Sequence, residues 1–548
     1  MKKKKIGVFD IETDPFKRDR IPQPFCCDFF DGESHHVRWG DDCIDRIWDK
    51  LKSFNGIIFA HNGGKFDFHY LLPHIDKRYL EIKVIGSSIA MMKLPNGTEF
   101  RDSYKMIPCP LSEHDKGKID YEKFERENRE KHRVEIVDYL KRDCESLYNL
   151  VEKFDEEYGI GLTIRGRAFS ELKKMGWELP AINSSLDAQL RPFFYGGRVE
   201  AFKSGEIKGD IKCFDINSAY PRAMLEDHPW GEKYSIGTKP IKGTERQSFY
   251  ELYANSKGAF PSRKENGSLN FPHCKGRFLI TGWELETARK LNLCSGVRVE
   301  TVYSPLATTN FRSYIERFYK EKLEAEIKKD DTGRLFAKLF MNSCYGGFAM
   351  NPEKFRDYKF SEFDEILEEP YTIQEIFPDG SVLWEKPSEH TQLYNVGTSA
   401  SITGYVRAML LESLVGCEDP LYCDTDSIIL RGKHKLKIGN QLGNWKLEGE
   451  GKELYIGGKK IYAFKMGDKW KCASKGAHLT PKQIKAVAMG RTIEWASEVP
   501  TYSAKKEISF VKRKINNTLT KLEKSPKNLK PSNKTDLIKK KNKQKQGK

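Results

Sequence analysis

Tyr422-Cys423-Asp424-Thr425-Asp426-Ser427-Ile428-Ile429-Leu430 sets two carboxylates one residue apart inside a run that is otherwise apolar and β-forming. The pattern predicts a hairpin with the acids at its turn. Carboxylates bracketed by buried strands are costly unless a cation or strong donors face them. A partner acid stands far upstream in Cys213-Phe214-Asp215-Ile216-Asn217-Ser218-Ala219-Tyr220-Pro221, where Asp215 is expected to end a short strand and Pro221 to turn the chain. Asp215 with Asp426, and Asp424 beside them, are the donor set of a two-metal site: one ion lowers the pKa of a 3′-hydroxyl and the other steadies a triphosphate.

Between these stretches, Lys338-Leu339-Phe340-Met341-Asn342-Ser343-Cys344-Tyr345-Gly346-Gly347 reads as a helix ending at glycine. Lys338, Asn342 and Tyr345 share one face of it, so an ammonium, an amide and a phenol can meet phosphates and a base. Helical spacing is also expected over 311–323 and 334–341.

A second acidic set lies near the start. Asp10 and Glu12 flank Ile11 at the end of the strand-like run Ile6 to Phe9, and residues two apart on a strand point to the same face. Another apolar run, Gly56 to Phe59, leads into His61-Asn62-Gly63-Gly64-Lys65-Phe66-Asp67. Val134, Val137, Leu140, Leu147, Leu150, Val151 and Phe154 follow helical spacing and put Tyr139 and Asp143 on one face. Asp10, Glu12, Asp67 and Asp143 supply the four acids that two magnesium ions need to clamp a phosphodiester, with Tyr139 to orient the attacking water. Asn62 and Phe66 suit a frayed single strand, because an aromatic face binds any base. Each motif alone has an ordinary reading, as solvated strand-end acids or an amphipathic helix; only the set carries the chemistry.

The bulk composition agrees. The chain has 548 residues, long enough for at least two cores, and 94 Lys and Arg against 78 Asp and Glu give a net charge of +16, which suits a polyanionic partner. Its 12 cysteines form no Cys-x-x-Cys pair, so reduced intracellular thiols are expected rather than zinc or disulfides. Neither a secretion signal nor a membrane-length apolar run is visible, so an intracellular protein is expected. From residue 516 to 548 the chain is lysine-dense and is expected to be a disordered basic tail.

Taken together, these residues resemble the family B DNA polymerases, and specifically the protein-primed branch that replicates linear genomes of phages, viruses and plasmids. The resemblance covers most of the chain. Asp10 and Glu12, Asn62 to Asp67, and Tyr139 to Asp143 resemble the three exonuclease motifs; Asp215 to Pro221, Lys338 to Gly346 and Tyr422 to Ser427 resemble polymerase motifs A, B and C. Tyr195-Gly196-Gly197 is similar to the linker motif that coordinates synthesis with editing, Thr403 to Arg407 to a motif that contacts template, and Lys460-Ile461-Tyr462 to one that steadies primer. Ala219, Cys344 and Gly347 depart from the family, where leucine, leucine and lysine are frequent.

The resemblance implies an α/β and α+β multidomain fold: an RNase H-like 3′–5′ exonuclease domain followed by a right-hand polymerase of palm, fingers and thumb. The expected divisions are 1–160 for the exonuclease, 161–200 for the linker, 201–478 for palm and fingers with insertions near 222–330 and 353–393, 479–515 for the thumb, and 516–548 for the tail. It implies that Asp215, Ile216 and Asp426 bind two Mg²⁺ (or Mn²⁺) ions and that Asp424 supports them. Tyr220 becomes the steric gate against ribonucleotides, Lys338 the triphosphate ligand, and Tyr345 the surface under the nascent base pair. Lys471-Cys472-Ala473 is expected at the primer-template, and Lys116 or Lys118 as an exonuclease lysine. Implied partners are primer-template DNA, dNTPs and a terminal protein primer, met by a monomer in the host cytoplasm without a membrane. A DNA-primed repair polymerase shares the acids but not the insertions, and a scaffold without catalysis would not need every metal carboxylate.

Overall fold

The computed structural model describes residues 4–16, 20–111, 118–178, 182–351, 356–362, 364–387, 394–496, 500–510 and 512–515. The lysine-rich end and Lys116 lie outside the described residues.

A seven-stranded mixed sheet organises the amino-terminal part. Its centre is three parallel strands, Ile6–Thr13, Ile57–Ala60 and Glu99–Asp102. Ile57–Ala60 is buried along its whole length, as a parallel strand covered on both faces requires. Helix Arg133–Tyr158 lies against this sheet and buries Ile136, Leu140, Leu147, Leu150, Val151 and Phe154. Val134, expected on that stripe, is 75% exposed; the stripe starts at Ile136 instead.

The second large sheet is antiparallel throughout and also has seven strands. Cys417–Asp424 and Ser427–His434 form the expected hairpin, and Thr425 at its turn has φ of +59°, a left-handed backbone that matches the twist of the strands it joins. Asp215 stands near the end of a twelve-residue strand, Gly205–Ile216, rather than a short one. That strand lies between the hairpin and strand Trp445–Gly458. Pro221 does not turn the chain. Ser218 does, with φ of +53°, and Pro221 falls in the first turn of helix Ala219–Ala223, where its missing N–H costs little. The linker expected to end at 200 contributes strand Val199–Ala201 to this same sheet.

Helices Arg312–Lys328 and Asp331–Phe348 pack side by side, with the Phe318 and Phe340 rings stacked at 4.8 Å. The first helix, expected within the first insertion, packs against the second. The insertion itself is a four-stranded sheet, Tyr234–Gly237, Cys294–Pro305, Phe249–Lys257 and His273–Thr281, carrying helix Gly282–Lys290. Helix Asp331–Phe348 also runs past the glycines expected to end it. A Cβ on Gly347 would stand 2.6 Å from the side chains of Arg165 and Phe169, so that glycine admits helix Ile164–Lys174 rather than capping its own.

A three-stranded sheet, Arg356–Ser361, Val382–Pro387 and Thr372–Ile376, forms the later insertion. Its Phe360 and Leu383 enter the core under the amino-terminal sheet, where Lys77 pairs with Asp379. Near the end of the described chain, Thr501–Ser503 carries Tyr502 back to the same domain. All 12 cysteines are free, and no helix among the described residues is long and apolar enough to cross a membrane.

Helix Val396–Val415 is buried on nearly every side, and His228 is locked against it. Its Nε2 donates to the Ala223 carbonyl at 2.8 Å while Nδ1 accepts from Ser401 Oγ at 2.9 Å, an arrangement that holds the ring neutral. Burial lowers the His228 pKa to about 4. Because this lies below the value of about 6.5 in an unfolded chain, the unfolded state takes up the proton first. The stability contribution is intact above pH 6.5 and fades between 6.5 and 4, by about 3 kcal/mol in full. We expect the thermal midpoint to fall from pH 7 to pH 5 by more in the wild type than in His228→Gln; equal falls would contradict this assignment.

Candidate active sites

Strand register brings the two central acidic stretches together. Asp215 lies opposite Ser427, and the Ile216 N–H donates to the Asp426 carbonyl at 2.8 Å. The Ile216 side chain is buried, so only its backbone can face the site. Asp215 is pushed up to about 7, first by burial and then by the charges of Asp426 and Glu448. Asp426 is pushed up to about 6 by burial, with Asp424 and Glu448 adding to it. These are half-buried carboxylates within electrostatic reach of one another, the condition a divalent cation relieves.

Asp424 is placed differently. It pairs with Lys460 Nζ at 3.2 Å and accepts the hydroxyls of Tyr422 and Thr425 at 3.3 and 3.2 Å. Its charge is compensated within the protein, which suits support rather than direct ligation. Lys338 lies within electrostatic reach of Asp215, Asn342 donates its amide to the Lys338 carbonyl at 2.8 Å, and the Tyr220 and Tyr345 rings stack 3.8 Å apart and nearly parallel.

The other acidic set gathers at the amino-terminal sheet. Asp10 and Glu12 project from one face of Ile6–Thr13, each half-buried between fully buried neighbours. Asp67, at the start of the short helix Asp67–Leu71, is raised well above the usual carboxylate range by burial and then by Asp10. Its Oδ1 is buried without a hydrogen-bond partner among the described residues. Burial, then Asp143 and Glu12, raise the Tyr139 phenol, so these three groups face each other. The double glycine before Asp67 has a steric cause: a Cβ on Gly64 would collide with the Ile89 carbonyl at 1.7 Å. Both donor sets consist of carboxylate oxygens, the chemistry that hard divalent ions prefer, and among the described residues no three of these acids are close enough together to enclose an ion.

A family model described as DNA polymerase type B, organellar and viral, matches residues 112–427. The DNA-directed DNA polymerase of Enterobacteria phage PRD1 is 37% identical over 94% of this chain and 98% of its own length. The chain is a type B DNA polymerase. The DNA polymerase of Bacillus phage phi29 is 26% identical over 61% of the chain and 60% of its own length. A solved structure, phi29 DNA polymerase complexed with primer-template DNA, superposes with a TM-score of 0.72 at 18% identity and covers 94% of this chain and 100% of that one. The fold is therefore the expected exonuclease domain followed by palm, fingers and thumb, and the expected family is confirmed.

Within this polymerase the expected nucleic-acid contacts divide. Asn62 takes a left-handed backbone, φ +62°, five residues before Asp67, and the Phe66 ring meets Phe16, Tyr70 and Tyr502 edge-on at 5.3 to 5.5 Å. Lys460 is exposed beside the palm acids, whereas Tyr462 is buried beneath them against Tyr422. Arg407 is a correction. Expected at the template, it is 1% exposed and donates to Glu284 at 2.8 Å and to the carbonyls of Tyr195 and Gly196 at 2.8 and 3.0 Å, so it reaches the linker motif instead of solvent. Lys118 is exposed.

Three residues went unread in the sequence. Glu448 sits at a bulge opposite Cys213 and Phe214 and pairs with Lys471, which ties that lysine to the palm acids rather than leaving it free for DNA. Asp102, raised to about 6 chiefly by burial, caps helix Ser103–Met106 and adds to the negative field at Asp67. Tyr502 arrives from the far end of the chain and shares a 2.6 Å hydroxyl contact with Tyr70. The glutamate follows no strand alternation and the tyrosine no local pattern; only Asp102, a cap before a short helix, had a readable signal.

Proposed function

We propose that this polymerase replicates a linear DNA genome inside a host cell, starting from a terminal protein and correcting its product with the amino-terminal exonuclease. The observation that carries the reading is the strand register that sets Asp215 beside the turn holding Asp426, the two within electrostatic reach of each other and of Glu448. Asp215, Asp426 and the Ile216 carbonyl would hold Mg²⁺ in the palm; Asp10, Glu12, Asp67 and Asp143 would hold it in the exonuclease. When bound, the ions lower the pKa of the attacking oxygen and neutralise charge developing on the phosphate.

The chain's own residues do the positioning. Lys338 is aimed from the fingers toward the triphosphate, Lys460 holds Asp424 in place, and Tyr139 orients the water that attacks a misplaced 3′ end. Asn62 and Phe66 hold that end as a single strand. Tyr220 closes the space under the sugar, and its stack on Tyr345 fixes its rotamer. Tyr220→Val is expected to raise ribonucleotide incorporation at least about tenfold relative to deoxyribonucleotide; competition assays on one template position measure this, and an unchanged ratio removes the gate role.

Protein priming draws its support from the two inserted sheets and from the family branch. Incubating the protein with a labelled dNTP, Mg²⁺ and the terminal protein of the same replicon tests it. Label joined covalently to that protein, stable to denaturation and absent with Asp426→Asn, is the expected result, and extension confined to DNA primers would favour repair synthesis.

A further inference from the structure

Arg407 and Glu284 form an ion pair that is almost fully buried, 1% and 2% exposed. Glu284 belongs to the first inserted subdomain, at the junction of strand His273–Thr281 and helix Gly282–Lys290. One of its oxygens accepts from the Thr281 N–H and hydroxyl at 3.0 and 2.9 Å, and the other from Arg407 Nε at 2.8 Å. Arg407 spends Nη1 on the Tyr195 and Gly196 carbonyls. The next residues then grip the catalytic turn. The Thr425 N–H donates to the Arg198 carbonyl at 2.7 Å, and a Cβ on Gly197 would lie 2.4 Å from the Thr425 hydroxyl oxygen, so the linker is pressed against the residue between Asp424 and Asp426. The guanidinium also lies within electrostatic reach of Tyr220.

We propose that Arg407 and Glu284 are positioning residues for nucleotide addition, forming a buried strut that fixes the Tyr195–Gly197 linker on the motif C turn and ties the first inserted subdomain to the palm acids. The proposal rests on the assignment of Asp215 and Asp426 to synthesis. It places Arg407 away from template phosphate. The geometry is specific to a guanidinium, which alone offers donors in a planar fork to one carboxylate and two carbonyls at once.

The test uses the full chain on a tailed primer-template with Mg²⁺, comparing wild type, Arg407→Lys, Glu284→Gln and the double variant in single-nucleotide incorporation. The salt dependence of primer-template affinity and the thermal midpoint are measured alongside. A displaced catalytic turn predicts a fall in kcat of about 30-fold or more in each single variant. The double variant should lose at most about twofold beyond the worse single, because both changes cut one strut. DNA affinity and its salt slope should match the wild type, since no phosphate contact is lost.

Wild-type kcat in Arg407→Lys or Glu284→Gln overturns the proposal. So does a loss confined to DNA affinity with a salt slope lower by about one, the mark of a phosphate ligand. If either variant fails to fold, Glu284→Asp carries the same test, keeping the charge but withdrawing it by one methylene; reduced kcat at unchanged DNA affinity supports the strut, and wild-type kcat overturns it. Synthesis surviving in Asp426→Asn would remove the site assignment itself, whereas its loss there with unimpaired Arg407→Lys removes only the strut.

Discussion

Asp426→Asn is expected to lower nucleotide incorporation by about a thousandfold or more, roughly 4 kcal/mol of transition-state stabilisation, while leaving 3′ digestion of single strands intact. The substitution keeps shape and removes charge. In the structure half-buried Asp426 lies within electrostatic reach of Asp215 and Glu448, and its pKa is raised to about 6, chiefly by burial. Anions so placed repel each other in the protein alone and become favourable when a cation lies between them. Losing one should cost metal affinity and leave the fold at least as stable. The thermal midpoint of Asp426→Asn without metal should therefore equal or exceed that of the wild type. Incorporation at the wild-type rate would remove Asp426 from the site.

The reciprocal result is expected of Asp10→Ala combined with Glu12→Ala. Digestion of a single strand should fall by about a thousandfold or more, with primer extension retained, because the two acidic sets stand on separate sheets. Asp67 supplies an internal check: Asp10 contributes to its raised pKa, so removing Asp10 should bring the Asp67 value down, as carboxyl titration by NMR would register. Persistent 3′ digestion would place the editing chemistry elsewhere, whereas a simultaneous loss of extension in a folded protein would contradict the separateness of the two acidic sets.

These sites were legible because strand geometry repeats every two residues. Asp10 and Glu12 had to share a face, and the acids among Tyr422, Cys423, Ile428 and Ile429 had to fall at a hairpin turn. The helix over Arg133–Tyr158 was readable for the same kind of reason, and it delivers Tyr139 and Asp143 together. What failed depends on contacts between distant segments. Arg407 looks like any cation after a small-residue run, and nothing local reveals that Glu284 engages its Nε and two linker carbonyls its Nη1. Glu448 lies in a charged stretch whose bulges break the alternation that would have aimed it inward. Gly347 resembles a helix stop until the neighbouring helix with Phe169 occupies the space its side chain would need. Composition likewise does not reveal that helix Arg312–Lys328 packs on the next helix through Phe318 and Phe340.

The most direct measurement is primer extension on a tailed duplex with Mg²⁺, run with and without dNTPs for wild type, Asp426→Asn and the Asp10→Ala, Glu12→Ala double variant. The account predicts that wild type extends with dNTPs and shortens the 3′ end without them, that Asp426→Asn only shortens, and that the double variant only extends. Loss of both activities in either folded variant, or retention of both in either, would contradict two separate carboxylate sites in one chain.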